Sequence, residues 1–545
     1  MNKITDKEND GTETAYDSLN SQDKSLIESI LNRGATRREA MKMLMAGGLS
    51  IAAAGSMLAA AGSAVAAMPK KGGHVKMSPS LHGPNDTFDP AMATSDIDYC
   101  RHRGHYNSLI QLNDDITPRG ELAEEFSSNA DASEWTFKLR KDVEWHDGSK
   151  FSADDVIYSM NRHYGEKSTS VAKPLVSIVN EWKKVDQYTV KAILDSPFSD
   201  LATVLGEKQF KIIKNGTTDF QNPVGTGPYK LEEFKPGVRT IQVRNENYWR
   251  EGGNFDVIEI FAITDSVARV SALLSGDIDM MSDLNPKAIK QVEGAGLQIK
   301  SEPSGAYQGM CMMQNASPGN NPDFRRGMKL LQRREKIVRS LLKEQGTVGN
   351  DQPINSAYGP EFCSELAITP FDPDQAKHFL KKSGITSAEI QVAEVSPGIT
   401  DAVLLWQREC SKIGFDLQVN KVPNDGYWGS VWMKTPMNVT TWNMRPTATI
   451  MLDLAFAPDA PWNDTLWKND RMGVLLKMVK SETDPAKRHE IQCEMQTLAH
   501  DESGMIIPAH TNIVDANSPK IKGIPKLPLG NLGGAEWPEF AWKEA

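Results

Sequence analysis

The sequence predicts an α/β fold, on three observations. Strand and helix signals interleave from about residue 74 to the C-terminus, the pattern of sheets covered by helices rather than of segregated element types. Hydrophobic residues make up 39% of the chain and charged residues 24%, an ordinary balance for a sequence with packed cores. No short-period repeat and no long low-complexity linker interrupts the chain after residue 67, which argues against a solenoid or an array.

Residues 1–35 are polar and acidic, with one short amphipathic stretch from Leu26 to Leu31. Thr36-Arg37-Arg38-Glu39-Ala40-Met41-Lys42 follows and resembles the twin-arginine export signal, with Ala40 and Met41 where that pattern usually has Phe and Leu. Met43 to Ala61 is rich in Ala, Gly and Met, about long enough to span a bilayer but too weakly apolar to do it well. Ala64-Val65-Ala66 then offers small residues for cleavage, so residues 1–66 are expected to be a signal peptide and the remainder to be periplasmic. An uncleaved anchor is the competing reading. No Cys stands near the cleavage region to carry a lipid.

The remaining length suggests about two to four domains. His74-Val75-Lys76-Met77 reads as the first strand, and a turn-rich loop follows through His82-Gly83-Pro84-Asn85-Asp86. Trp135-Thr136-Phe137-Lys138-Leu139 alternates as a half-buried strand does. Ser152-Ala153-Asp154-Asp155 opens a helix as a capping-box variant, with its acids at the positive end of the dipole. Pro223-Val224-Gly225-Thr226-Gly227-Pro228-Tyr229 is punctuated by glycine, but the Pro and the strand after it exclude a phosphate-cradling loop. Further helices are expected from Ala268 to Leu274, Asp323 to Glu344, Asp374 to Lys382, Val403 to Ile413 and Asp484 to His500. Strands are expected at Ile390-Gln391-Val392 and Asp416-Leu417-Gln418-Val419.

A net charge of −10 repels nucleic acid and anionic lipid, which excludes both as expected partners. Cys100, Cys311, Cys363, Cys410 and Cys493 stand far apart, with no C-x-x-C pair and no His at zinc-finger spacing. No metal and no cofactor is therefore expected, and most of these thiols read as buried and inert. Twin-arginine export carries chains already folded in a reducing compartment, so stability is not expected to rest on a disulfide. No G-x-S-x-G elbow and no H-E-x-x-H helix is present, so no catalytic residue is expected, and a secreted hydrolase is the weakest reading.

Several segments in fixed order resemble one family, the extracellular solute-binding proteins, family 5, of peptide-type ABC importers. They are Trp135 to Arg140, Val143-Glu144-Trp145-His146-Asp147-Gly148 with Phe151 to Val156, Pro223 to Tyr229, Arg244-Asn245-Glu246-Asn247-Tyr248-Trp249 and Leu274-Ser275-Gly276-Asp277-Ile278-Asp279. The resemblance implies a two-lobed periplasmic binding protein, class II-like and of cluster C, with a subdomain inserted in the first lobe. Lobe I would comprise residues 71–95, 222–308 and 508–545, the inserted subdomain 96–221, and lobe II 309–507. It further implies a monomer that closes on a small peptide-like or opine-like molecule and presents it to the transmembrane subunits of an ABC permease. A periplasmic sensor or chaperone of the same fold is the alternative.

In lobe II the resemblance directs attention to Gly426-Tyr427-Trp428 and to Thr441-Trp442-Asn443-Met444-Arg445-Pro446. Peptide-binding relatives carry an Asp at or beside the place of Arg445, where it pairs with the ligand's ammonium group. A guanidinium there would repel an ammonium but give a carboxylate or phosphate two parallel N–H bonds. Tyr427, Trp428, Trp442, Asn443 and Arg445 are therefore expected to bind an anionic ligand, with His82 and Tyr307 contributing from the first strand's loop and the crossover. The competing account pairs Arg445 with Asp453 and places the tryptophans in the core, Trp462 and Trp467 above all.

Overall fold

The computed structural model describes residues 69–544, apart from residues 81, 84, 264, 397 and 424–426. The twin-arginine segment and cleavage site expected before residue 67 lie outside the described residues, as do Leu81, Pro84 and Gly426. Among the described residues no helix is long and apolar enough to cross a membrane.

Residues 71–545 form one compact unit built on two large sheets. In the first sheet, His74–Ser78 lies between the parallel strands Val257–Phe261 and Met280–Met281. Arg239–Arg244 and Tyr229–Lys235 extend one side antiparallel, and Ile513–Asn517 with Gln298–Glu302 extend the other. The second sheet runs in the order Gly346–Val348, Met505–Thr511, Tyr307–Met312, Met437–Trp442, Ser387–Val392 and Asp416–Lys421. A four-stranded antiparallel sheet, Ala123–Ser128 to Val179–Asp186, forms the subdomain within the first lobe.

The chain passes from the first sheet to the second over residues 303–306 and returns at Asn512. Both crossings fall a few residues from the expected boundaries, because Tyr307 and the strand Met505–Thr511 already pair within the second sheet.

Local chemistry explains the motif segments. Asp155 accepts the Ser152 backbone N–H at 2.8 Å, closing the start of helix Ala153–Asn161. A side chain at Gly225 would overlap the carbonyl oxygen of His105, so glycine lets the loop press on the end of helix Asp96–His105. Trp249 is sandwiched between Arg140 and Arg250, each guanidinium 4.6 Å from a ring centroid. Arg250 continues into a buried network, reaching Glu121 at 2.8 Å and Glu539 at 2.5 Å, which ties the C-terminal segment to the subdomain.

One expectation is corrected. The helix expected over 323–344 is broken: Pro322–Lys329 is helical and a wide turn spans Ile337–Leu341. Between them the backbone is held by Arg334, whose guanidinium bonds Asp351 at 2.7 Å and the Ile507 carbonyl at 2.9 Å. Cys363 and Cys493 form a disulfide across 130 residues of chain. Cys100, Cys311 and Cys410 are buried free thiols.

Candidate ligand-binding site

Tyr307, Trp442 and His510 stand side by side at one edge of the second sheet. Tyr307 opens its strand, Trp442 closes the neighbouring one, and register pairs Tyr307 with both Trp442 and His510. This is the edge at which the chain crosses between lobes, so whatever projects from it faces the first lobe's segments. Gly305, in the crossing, touches Tyr358 and Met444 so closely that a Cβ would overlap the Tyr358 ring. The crossing is pinned at its middle, since the Ser304 hydroxyl donates to the Pro528 carbonyl at 2.9 Å and the Gly305 N–H points at the Met444 sulfur.

Arg445 lies three residues beyond Trp442. Its backbone N–H donates to the Tyr358 hydroxyl at 3.3 Å, and its guanidinium sits 5.5 Å from the Trp442 ring centroid. Asp453 does not pair with it; that carboxylate binds Lys480 at 2.9 Å. Among the described residues Arg445 makes no ion pair, and its Nε is shielded from solvent without a hydrogen-bond partner. The Tyr307 hydroxyl is likewise buried and unpartnered, and burial raises its pKa well above the ordinary tyrosine value. Buried donors of this kind are rare in native proteins and mark places where a further polar group belongs.

Trp442 is held from below. Its indole N–H donates to Asp464 at 2.7 Å, and the same carboxylate accepts from the Trp432 indole at 2.5 Å and the Thr440 hydroxyl at 3.1 Å. No cation offsets the burial of Asp464 in this set, and desolvation raises its pKa to about 6.

The first lobe supplies residues that the sequence did not single out. Tyr99 projects from helix Asp96–His105 within electrostatic reach of Arg445. The Lys208 ammonium lies 5.2 Å from the Tyr99 ring centroid and donates to the Leu529 carbonyl. Gln209 donates to the Tyr99 hydroxyl at 3.0 Å and leaves its own buried Oε1 unpartnered. His82 joins this side through its loop: Ser80 donates to Asp96 at 3.1 Å, and the His82 Nε2 is buried without a partner. No local motif marks Tyr99, Lys208 or Gln209; only the fold brings them together.

The remaining expected residues fall differently. Tyr427 is buried in the second lobe's core, and its hydroxyl both donates to and accepts from the Val439 backbone, at 2.8 and 2.9 Å. That leaves it nothing to offer a ligand, so its part is to hold the sheet. Trp428 is 46% exposed, edge-on to Tyr427 and Trp432, and Asn443 is exposed. Trp467 is buried as expected, whereas Trp462 is 42% exposed and edge-on to Trp442 rather than in the core. A cavity of about 310 Å³ lies elsewhere, between the subdomain and the second lobe. Its charged lining groups, Asp453 and Lys480, satisfy each other, so it presents nothing that seeks a partner.

Comparison with known proteins accords with this architecture. Residues 117–458 match the family described as bacterial extracellular solute-binding proteins, family 5 Middle. The dipeptide-binding protein of Escherichia coli K12 is 24% identical over 498 residues, covering 82% of this chain and 91% of that protein. The periplasmic binding protein DppA of Helicobacter pylori, solved with the peptide STSA, superposes with a TM-score of 0.70 at 20% identity, over 87% of this chain and 99% of its own. AgaA from A. tumefacien R10, solved with agropinic acid, gives 0.71 at 19% identity, over 87% and 99%.

Proposed function

We propose, for a chain that belongs to the bacterial extracellular solute-binding proteins, family 5, that its ligand is a small peptide-like or opine-like molecule bringing an anionic group to Arg445. As a family 5 protein it is the solute-binding component of an ABC importer. In our reading it works as a monomer in the periplasm after twin-arginine export, closes over its ligand, and delivers it to the permease subunits without chemical change.

One observation carries the ligand assignment: the Arg445 guanidinium lies over Trp442 with a buried, unpartnered Nε and no ion pair among the described residues. An ammonium brought there would meet a like charge in a partly desolvated site, whereas a carboxylate accepts two parallel N–H bonds from the guanidinium. The Tyr307 hydroxyl and the Gln209 Oε1 supply one further donor and one acceptor for the polar part of such a molecule. The partly exposed indole of Trp462, edge-on to Trp442, suits its apolar part. The agropinic-acid complex of AgaA is in keeping with an acidic ligand on this fold.

Mass spectrometry of compounds released on denaturing the purified protein tests the assignment. A carboxylate- or phosphate-bearing small molecule is expected at near one equivalent. A ligand with no anionic group would refute it.

A further inference from the structure

Two segments of the second lobe bring four metal-ligating side chains together, none of which the ligand site uses. Cys363 and Glu365 follow the turn Ser356–Glu361, and His489 and Cys493 stand one turn apart on helix Pro485–Glu502. The Glu365 carboxylate is 3.6 Å from the Cys363 sulfur and 3.9 Å from the Cys493 sulfur. The His489 Nε2 lies 3.5 Å from the Cys493 sulfur and 4.0 Å from the same carboxylate. One Sγ from each Cys and a Glu365 oxygen all fall within 4.8 Å of one another.

Two details distinguish this cluster from an ordinary disulfide with polar neighbours. The His489 Nδ1 is 2.8 Å from the Pro360 carbonyl, which can only accept, so in the neutral ring the proton sits on Nδ1. The lone pair of Nε2 is therefore available on the side of the Cys493 sulfur, and a backbone carbonyl orients the ring as in established metal sites. The two segments are also joined independently of the S–S bond. Gln496, on the same helix, accepts the Cys363 backbone N–H at 3.0 Å and donates to the Glu361 carbonyl at 2.8 Å. Cleaving the disulfide therefore leaves the two segments held together, with the sulfurs free to separate to non-bonded distance.

We propose that the dithiol form of Cys363 and Cys493, with His489 and Glu365, binds one borderline divalent cation such as Zn²⁺, and that the disulfide is the metal-free state of the same site. Two thiolates, an imidazole and a carboxylate form a four-coordinate set for such an ion. The interconversion balances: a phosphine and one water turn the S–S bond into two thiols, the phosphine leaving as its oxide. The cation then displaces the two thiol protons to solvent. No motif marks this site along the chain, because its cysteines are 130 residues apart and the helical His489–Cys493 pair is not a familiar spacing.

Co²⁺ titration of the full chain tests the proposal, after anaerobic reduction by a phosphine and removal of the reductant. One equivalent of Co²⁺ with a thiolate-to-cobalt charge-transfer band is expected from reduced protein and none from untreated protein. His489→Ala, which leaves the disulfide intact for folding, should weaken Co²⁺ binding at least ~10-fold, and the double variant Cys363→Ser/Cys493→Ser should lose the band. Absence of the band from reduced protein overturns the proposal. So does a band of equal strength in untreated protein, or one that keeps its affinity in His489→Ala. None of these outcomes bears on the ligand at Arg445, which is measured separately.

Discussion

Asp464 shows how one buried group shapes the site. Its three donors are two indoles and a hydroxyl, so its carboxylate is solvated by dipoles alone, and its pKa rises from 3.8 to about 6. Between those values the folded protein retains a proton that the unfolded chain has released, so stability falls as pH rises through the window and levels off above it. The fall is on the order of 3 kcal/mol. Asp464→Asn does not titrate, so the Tm difference, wild type minus variant, should decline from about pH 4 to 6 and stay flat below. A difference independent of pH would refute this account of Asp464. The same substitution turns an amide donor toward one of the donors now held, so Trp442 should lose its fixed orientation and ligand affinity should drop with it.

Little of this was legible at the residue scale. Trp442 and Arg445 could be singled out because a resemblance aligned their segment. Asp464 could not, because a lone Asp in the segment Trp462-Asn463-Asp464-Thr465 looks like turn chemistry. The same resemblance points to Tyr427, but the fold buries that side chain and its hydroxyl is engaged by the Val439 backbone.

At the scale of elements, hydrophobic periodicity located some helices that bury an apolar stripe, such as Pro373–Ser383 and Ile399–Lys412, but not Asp470–Ser481. It missed Asp96–His105, which carries Tyr99 into the site. That helix buries Arg101, His102, Arg103 and His105, and it compensates by pairing: Arg101 with Asp98 at 2.7 Å and Arg103 with Glu121 at 3.3 Å. A helix whose inward face is charged has no apolar period to detect. Its end is fixed by the glycine loop, where the Gly227 N–H donates to the His105 carbonyl at 2.9 Å. Gly225→Ala should set a methyl against that backbone and cost about 3 kcal/mol, read as a lower urea midpoint at unchanged m-value. An unchanged midpoint would mean that the loop can move aside.

At the scale of the whole folded unit, the contacts that join the lobes are as informative as the cleft. Arg488 of the second lobe reaches across to the subdomain, bonding the Ser199 hydroxyl at 2.6 Å and the Asp200 carboxylate. Asp200 also accepts from Thr447 at 2.8 Å, and the Ser199 N–H donates to the Lys480 carbonyl at 2.9 Å. These bonds exist only while the subdomain and second lobe touch, so under the proposed closure they favour the arrangement in which the two meet. Asp200→Ala should open the ligand-free protein and lower its apparent affinity about tenfold or more, the scale of a lost hydrogen bond to a charged group, with a larger radius of gyration in scattering. Unchanged affinity and scattering would show that the contact does not govern closure. The α/β class and the order of its motifs could be read along the chain. The latch could not, because Asp200 and Arg488 are far apart in sequence and neither lies in a recognisable pattern.

Ligand recognition rests on Arg445 meeting an anionic group, and calorimetry with the compound released from the purified protein tests this most directly. Removing the guanidinium in Arg445→Ala should cost about 2 to 5 kcal/mol of binding free energy, at least a ~30-fold rise in Kd, with Tm in the absence of ligand little changed. Equal affinity of wild type and Arg445→Ala for that compound would contradict it.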